Sequence, residues 1–138
     1  MTIWEAFADE MDTAIKKLKE VLPDFDVHSL SARVWELDMV YSRNIPSGAA
    51  DIAEATKDGS LIERLLRLTE DYGSNYSVLV GNIFQNFGSV ARSTKDTKLL
   101  EDLIVLFEDN KQDAWLLRVL TDSLSAFCLS FCIFPDKA

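Results

Sequence analysis

Few side chains in this sequence are typed and spaced for chemistry. His28 is the sole histidine and stands beside Asp26 and Ser29. Alone it is a candidate general base, but no nucleophile lies near it, and triad chemistry needs partners. It reads instead as a helix-start or surface residue. Cys128 and Cys132, four apart, would share one helix face, where a disulfide is geometrically poor. They read as small buried apolar groups of a reducing compartment. One His and two distant Cys do not match zinc spacing, and no Glu-x-x-His motif offers a di-iron site. Asp9, Glu10, Asp12, Asp24 and Asp26 lack the Gly and distal Glu of a calcium loop. No glycine-rich phosphate loop occurs. Asn82, Gln85, Asn86 and Ser89 form a polar helical face, either a groove lining or an ordinary solvated surface. The expectation is a protein that is not an enzyme and takes no metal or cofactor.

Bulk properties bound the rest. A chain of 138 residues is most simply one domain, residues 1–138, with enough length for a sizeable core. It is 48% hydrophobic and 27% charged, with five Gly and three Pro, which favours helices over sheets. The net charge of −9 disfavours nucleic acid and anionic membranes as direct partners. It permits a basic protein partner, or serves solubility alone. The N-terminus has no basic and apolar leader pattern, and no apolar run reaches membrane-spanning length. A cytoplasmic location is the expectation.

Helical apolar spacing then places the elements. The first helix covers about residues 3–21, with Thr2 and Glu5 in capping-box spacing and Pro23 beyond its end. A second runs from about Ser29 to Ser42. Residues 44–48, with Pro46 and Gly48, read as a break. A short helix follows at about 49–57. Ser60 and Glu63 repeat the capping-box form and open a helix ending near Asp71. Later helices cover about 76–92, 98–108, and 113 to before Pro135. Trp4, Phe7, Trp35, Phe84, Phe87, Phe127 and Phe131 fall on or near apolar stripes and are assigned to the core.

Two stretches nearly coincide about 38 residues apart. Leu61, Ile62, Glu63, Leu65, Leu66, Leu68, Glu70 and Asp71 match Leu99, Leu100, Glu101, Leu103, Ile104, Leu106, Glu108 and Asp109. The helices that follow also match, one residue out of step: Val80, Ile83, Phe87 and Val90 against Leu117, Leu120, Leu124 and Phe127. The fold expected is all-α, a short α-solenoid or bundle of about three antiparallel hairpins and about seven helices. The short helix at 49–57 is an extra between the first and second hairpin. The pattern resembles HEAT-type and armadillo-type repeats over about residues 60–128, although no Pro opens these helices. Such a short, acidic helical protein also looks like the immunity proteins of bacterial toxin systems, which bind and block a toxin domain.

If equivalent turns stack, Glu70 and Asp71 lie near Glu108 and Asp109, with Tyr72, Tyr76, Asp113 and Trp115 alongside. Aromatic rings among like charges either form a recognition patch or tuck back over the hairpin ends. On the first reading Asp71, Tyr72, Tyr76, Glu108, Asp109, Asp113 and Trp115 contact a basic protein, most concretely a toxin domain. The alternative is a scaffold that self-associates through Leu129, Phe131, Ile133 and Phe134 of its apolar last helix.

Overall fold

The computed structural model describes residues 3–36, 44–72 and 77–133, without the side chains of residues 3, 4, 72, 77–82, 114, 125 and 127–133. Seven helices are found among them, and no strand: α1 (Ile3–Val21), α2 (Val27–Glu36), α3 (Ile45–Thr56), α4 (Gly59–Tyr72), α5 (Ser77–Thr94), α6 (Thr97–Asp109) and α7 (Ala114–Ile133).

Helices α2, α6 and α7 begin where an aspartate side chain takes an orphan backbone amide. Asp26 Oδ1 accepts from Ser29 N at 3.0 Å, Asp96 Oδ1 from Leu99 N at 3.0 Å, and Asp113 Oδ1 from Leu116 N at 3.0 Å. The Ser60–Glu63 capping box does not form. Asp58 Oδ1 accepts instead from Ser60 N at 2.9 Å and from its hydroxyl at 2.6 Å, because Glu63 is drawn to Arg33 and Arg67. The capping box at Thr2 lies outside the described residues.

The break expected at 44–48 is the start of α3. Pro46 sits in the first helical turn, where its missing N–H costs no hydrogen bond. Gly48 is there for space: a Cβ would stand 2.5 Å from the Phe84 carbonyl oxygen on α5. Across that crossing, a Cβ on Gly88 would stand 3.1 Å from the Gly48 Cα. The two helices therefore meet backbone to backbone, and α3 is buried on nearly every side through Ile45, Pro46, Ala49, Ala50, Ile52 and Ala53.

Alternate helices sort into two layers. In one, α1 packs on α3, α3 on α5, and α5 on α7. In the other, α4 packs on α6, and α2 reaches α4 through Arg33. The short helix is thus no extra: α3 is the layer partner of α5, and α1 leads the row. This two-layer order is compatible with a short helical repeat array or a bundle.

The connections repeat as well. Thr56-Lys57-Asp58 after α3 and Thr94-Lys95-Asp96 after α5 adopt one conformation. Lys57 and Lys95 hold φ of 56° and 51°, in the left-handed region. Their amides donate to Ala53 O at 2.8 Å and Ala91 O at 2.9 Å. Thr56 and Thr94 hydroxyls donate back to Ile52 O and Val90 O at 2.7 and 2.8 Å, and each accepts the following Asp amide at 3.2 Å. Upstream, Ile45, Ala49, Ile52 and Ala53 match Ile83, Phe87, Val90 and Ala91, all buried. The structural repeat therefore spans α3–α4 and α5–α6, with α7 beginning a further copy.

Core side chains come from both layers. Phe7, Met11, Ala14 and Leu18 form the inner stripe of α1. Phe87 and Phe107, both fully buried, join the layers edge to face at 5.5 Å. Trp35 departs from its core assignment: it is 44% exposed and lays its ring edge to face on Phe7 at 4.8 Å. Helix α2 lies at one end of its layer, with no described helix covering the outer side of that ring. Asn86 departs in the other direction. It is buried and donates to Thr121 O at 3.2 Å, so it ties α5 to α7 and lines no open groove. The side chains of Trp4, Phe127, Leu129, Phe131, Ile133 and Phe134, and that of Asn82, lie outside the description.

Candidate protein-binding surface

The equivalent turns do come together. Arg64 of α4 reaches Glu108 of α6, Nη2 to Oε1 at 2.6 Å and Nε to Oε2 at 3.3 Å. Lys111, just past α6, stands 3.5 Å from Asp71 at the end of α4. The acidic corner expected there is therefore partly neutralised from within. Glu70 is gripped by Arg33 of α2 in the same two-toothed way that Arg64 grips Glu108. Glu70 and Glu108 are repeat equivalents, so one clamp recurs along the layer. Bidentate guanidinium–carboxylate pairs are directional, which suits them to fixing helix register.

The same cations offset the local cost of acids at helix C-termini. Arg33 also donates to Glu63 at 2.8 and 3.0 Å. Hydrogen bonding to Glu70, which outweighs burial, holds the Arg33 guanidinium well above its ordinary value. Burial pushes the Glu63 carboxyl up, yet the hydrogen bonds from Arg33 and Arg67 outweigh it and hold the group below its usual 4.5. A depressed carboxylate adds stability above its unfolded value and loses it as pH falls through the folded one. The α2–α4 contact is therefore acid-sensitive below about 4.5 and insensitive above it. Across the other layer Asp51 faces Arg92 at 3.6 Å, and burial raises its carboxyl despite that cation.

The remaining expected contact residues divide. Asp109 is exposed and has no ion partner among the described residues. Asp113 is exposed and serves as the cap of α7. Trp115 is 74% exposed and does not tuck back over the turn. Tyr76 and the side chain of Tyr72 lie outside the described residues. Three further apolar side chains escape sequence reasoning: Val105 and Leu106 on α6, each 40% exposed, and Val119 on α7 at 39%. With Trp115 they lie on the last helix of each layer. Scattered apolar surface residues are ordinary, but among the described residues four of the five large exposed ones fall on these two helices. The opposite end is different, since the outward positions of α1 carry Glu5, Asp9, Asp12, Lys16 and Lys19.

Among the described residues no three His, Cys, Asp or Glu side chains are grouped to hold a metal ion. His28 is exposed in the first turn of α2. No described helix is long and apolar enough to cross a membrane. No family model, curated protein or solved structure matches the chain.

Proposed function

We propose that this protein is a non-enzymatic recognition module that binds a basic protein partner through the α6–α7 end of its array. The observation that carries this reading is Trp115, 74% exposed two residues after the exposed Asp113, with the exposed Asp109 closing α6 and Val105, Leu106 and Val119 on the same two helices. A ring of that size at a surface offers large buried area at little entropic cost, and the surrounding carboxylates steer and select a cationic partner. The chain's net charge of −9 acts in the same sense at longer range. In its most specific form the module is an immunity protein, occluding a basic toxin domain. In the runner-up reading the same end joins copies of the chain.

The test is capture from the source organism with the wild-type chain and with an Asp109→Lys/Trp115→Ala variant. Neither side chain has an ion pair or ring contact among the described residues, so the fold should be kept, as circular dichroism would check. A basic protein recovered with the wild type and lost with the variant, from low salt especially, is the expected result. Capture that is unaffected by the double change, or that returns only further copies of this chain, rejects the proposal.

A further inference from the structure

The partly open flank of α6 has a covered counterpart on α4. On α4, Leu61, Leu65 and Leu68 make one stripe and are 1%, 0% and 2% exposed. Arg64 and Asp71 rim that stripe and reach Glu108 and Lys111, so this is the side on which α6 lies. The repeat equivalents on α6 are Leu99, Leu103 and Leu106, rimmed by Asp102 and Asp109. They are less covered than their equivalents: Leu99 and Leu103 pack against the core but are only partly buried, and Leu106 is 40% exposed. By contrast Leu100, Ile104 and Phe107 are buried, as are their equivalents Ile62, Leu66 and Thr69. The inward face of the repeat is thus the same in both copies, and the flank that α6 covers on α4 is left partly open on α6.

The rim has changed sign. Where α4 offers Arg64 to an acidic residue of α6, α6 offers Asp102. Its only ion pair among the described residues is with Lys98 at 2.7 Å, on its own helix and largely in water. Such i,i+4 surface pairs are worth a few tenths of a kcal/mol and are easily exchanged. Asp109 takes the place of Asp71 and lacks the lysine that Asp71 has.

We infer that the Leu99–Leu103–Leu106 flank receives an amphipathic helix of the partner, stacked as α6 stacks on α4. That helix carries basic residues where α6 carries Glu108 and where Lys111 follows it, to meet Asp102 and Asp109. A second copy of this chain stacked as α6 stacks on α4 would set its Glu108 against Asp102, which disfavours it. The inference rests on the protein-binding reading above and gives the partner a local structure and a charge register.

Because α6 itself fits such a flank, it supplies the probe. A synthetic peptide of residues 96–112 carrying Glu108→Arg is titrated against the full chain, beside the peptide of unaltered sequence. The altered peptide should bind at least about tenfold more tightly, with affinity falling as salt rises. Asp102→Arg in the chain should invert the preference, and Asp102→Asn should level it, with unchanged thermal melts showing that the fold persists. Asp12→Lys, on the exposed face of α1 at the opposite end, should leave peptide binding within about twofold, and because the peptide assay is read apart from partner capture, failure at this flank is distinguished from failure of the protein-binding reading. Equal binding of both peptides, binding of neither, or no inversion by Asp102→Arg overturns the inference. So does self-association of the chain that Leu106→Glu abolishes.

Discussion

Gly48→Ala is expected to lower the stability of this protein by about 3 kcal/mol, the upper range for overpacking a close contact. The sign is the informative part. Inside an exposed helix the same change adds up to about 1 kcal/mol, because alanine loses less backbone freedom on folding. Here the new Cβ would meet the Phe84 carbonyl oxygen at 2.5 Å and its carbon at 2.9 Å, and both belong to the backbone of α5. No rotamer change relieves that clash, so α3 and α5 must move apart along the most extensive helix contact among the described residues. Gly88→Ala has more room, with its nearest contact at 3.1 Å, and should cost about 1 kcal/mol. Urea melts of the two variants give the comparison. A Gly48→Ala chain as stable as the wild type would mean that the crossing is wider than described.

The second large effect is at Phe107. Truncation to alanine should cost about 4 kcal/mol, as for other fully buried phenylalanines. Phe107 has no exposed surface and meets Phe87 edge to face, so its loss opens a cavity between the layers and removes the aromatic contact. Leu106 is its immediate neighbour and points the other way. Leu106→Ala should change stability by no more than about 0.5 kcal/mol, since it leaves a side chain already 40% in water. Thermal or urea melts read both. The pair separates structure from recognition: Phe107 holds α6 in place, and Leu106 belongs to the surface that α6 offers. A large loss at Leu106 with little loss at Phe107 would reverse the assigned faces.

Some of this was legible in the residues alone. The stripes at 61–68 and 99–106 carry the helical period and the repeat, because buried leucines must recur wherever the same packing recurs. The joint between helices was legible in principle too. Thr-Lys-Asp stands at 56–58 and again at 94–96, and its recurrence extends the repeat upstream into α3. Pro46 and Gly48 hid that helix. Both are breakers in isolation, and only the tertiary contact with Phe84 and Gly88 explains a glycine there. Charge pairing is the least legible feature in the sequence. Glu70 and Glu108 look like a free acidic edge, yet the cations that hold them sit on another helix, at Arg33 and Arg64. Pairing of that kind depends on layer order, which no local pattern carries. Within the candidate site, the aromatic and acidic character of Asp109, Asp113 and Trp115 was visible from their types. The apolar flank around Leu106 was not, because in a sequence it is indistinguishable from the buried stripe of Leu68.

The stacking of like units is the claim from which the open end, its charge and its proposed partner all descend. It is tested most directly by exchanging charges across the α4–α6 contact. Arg64→Glu alone and Glu108→Arg alone should each destabilise the fold, and the doubly exchanged chain should recover most of the loss. Because both groups are about one-third exposed, solvent screens the pair, and the coupling expected is about 1 kcal/mol. A double variant whose loss equals the sum of the two single losses would contradict the stacked arrangement.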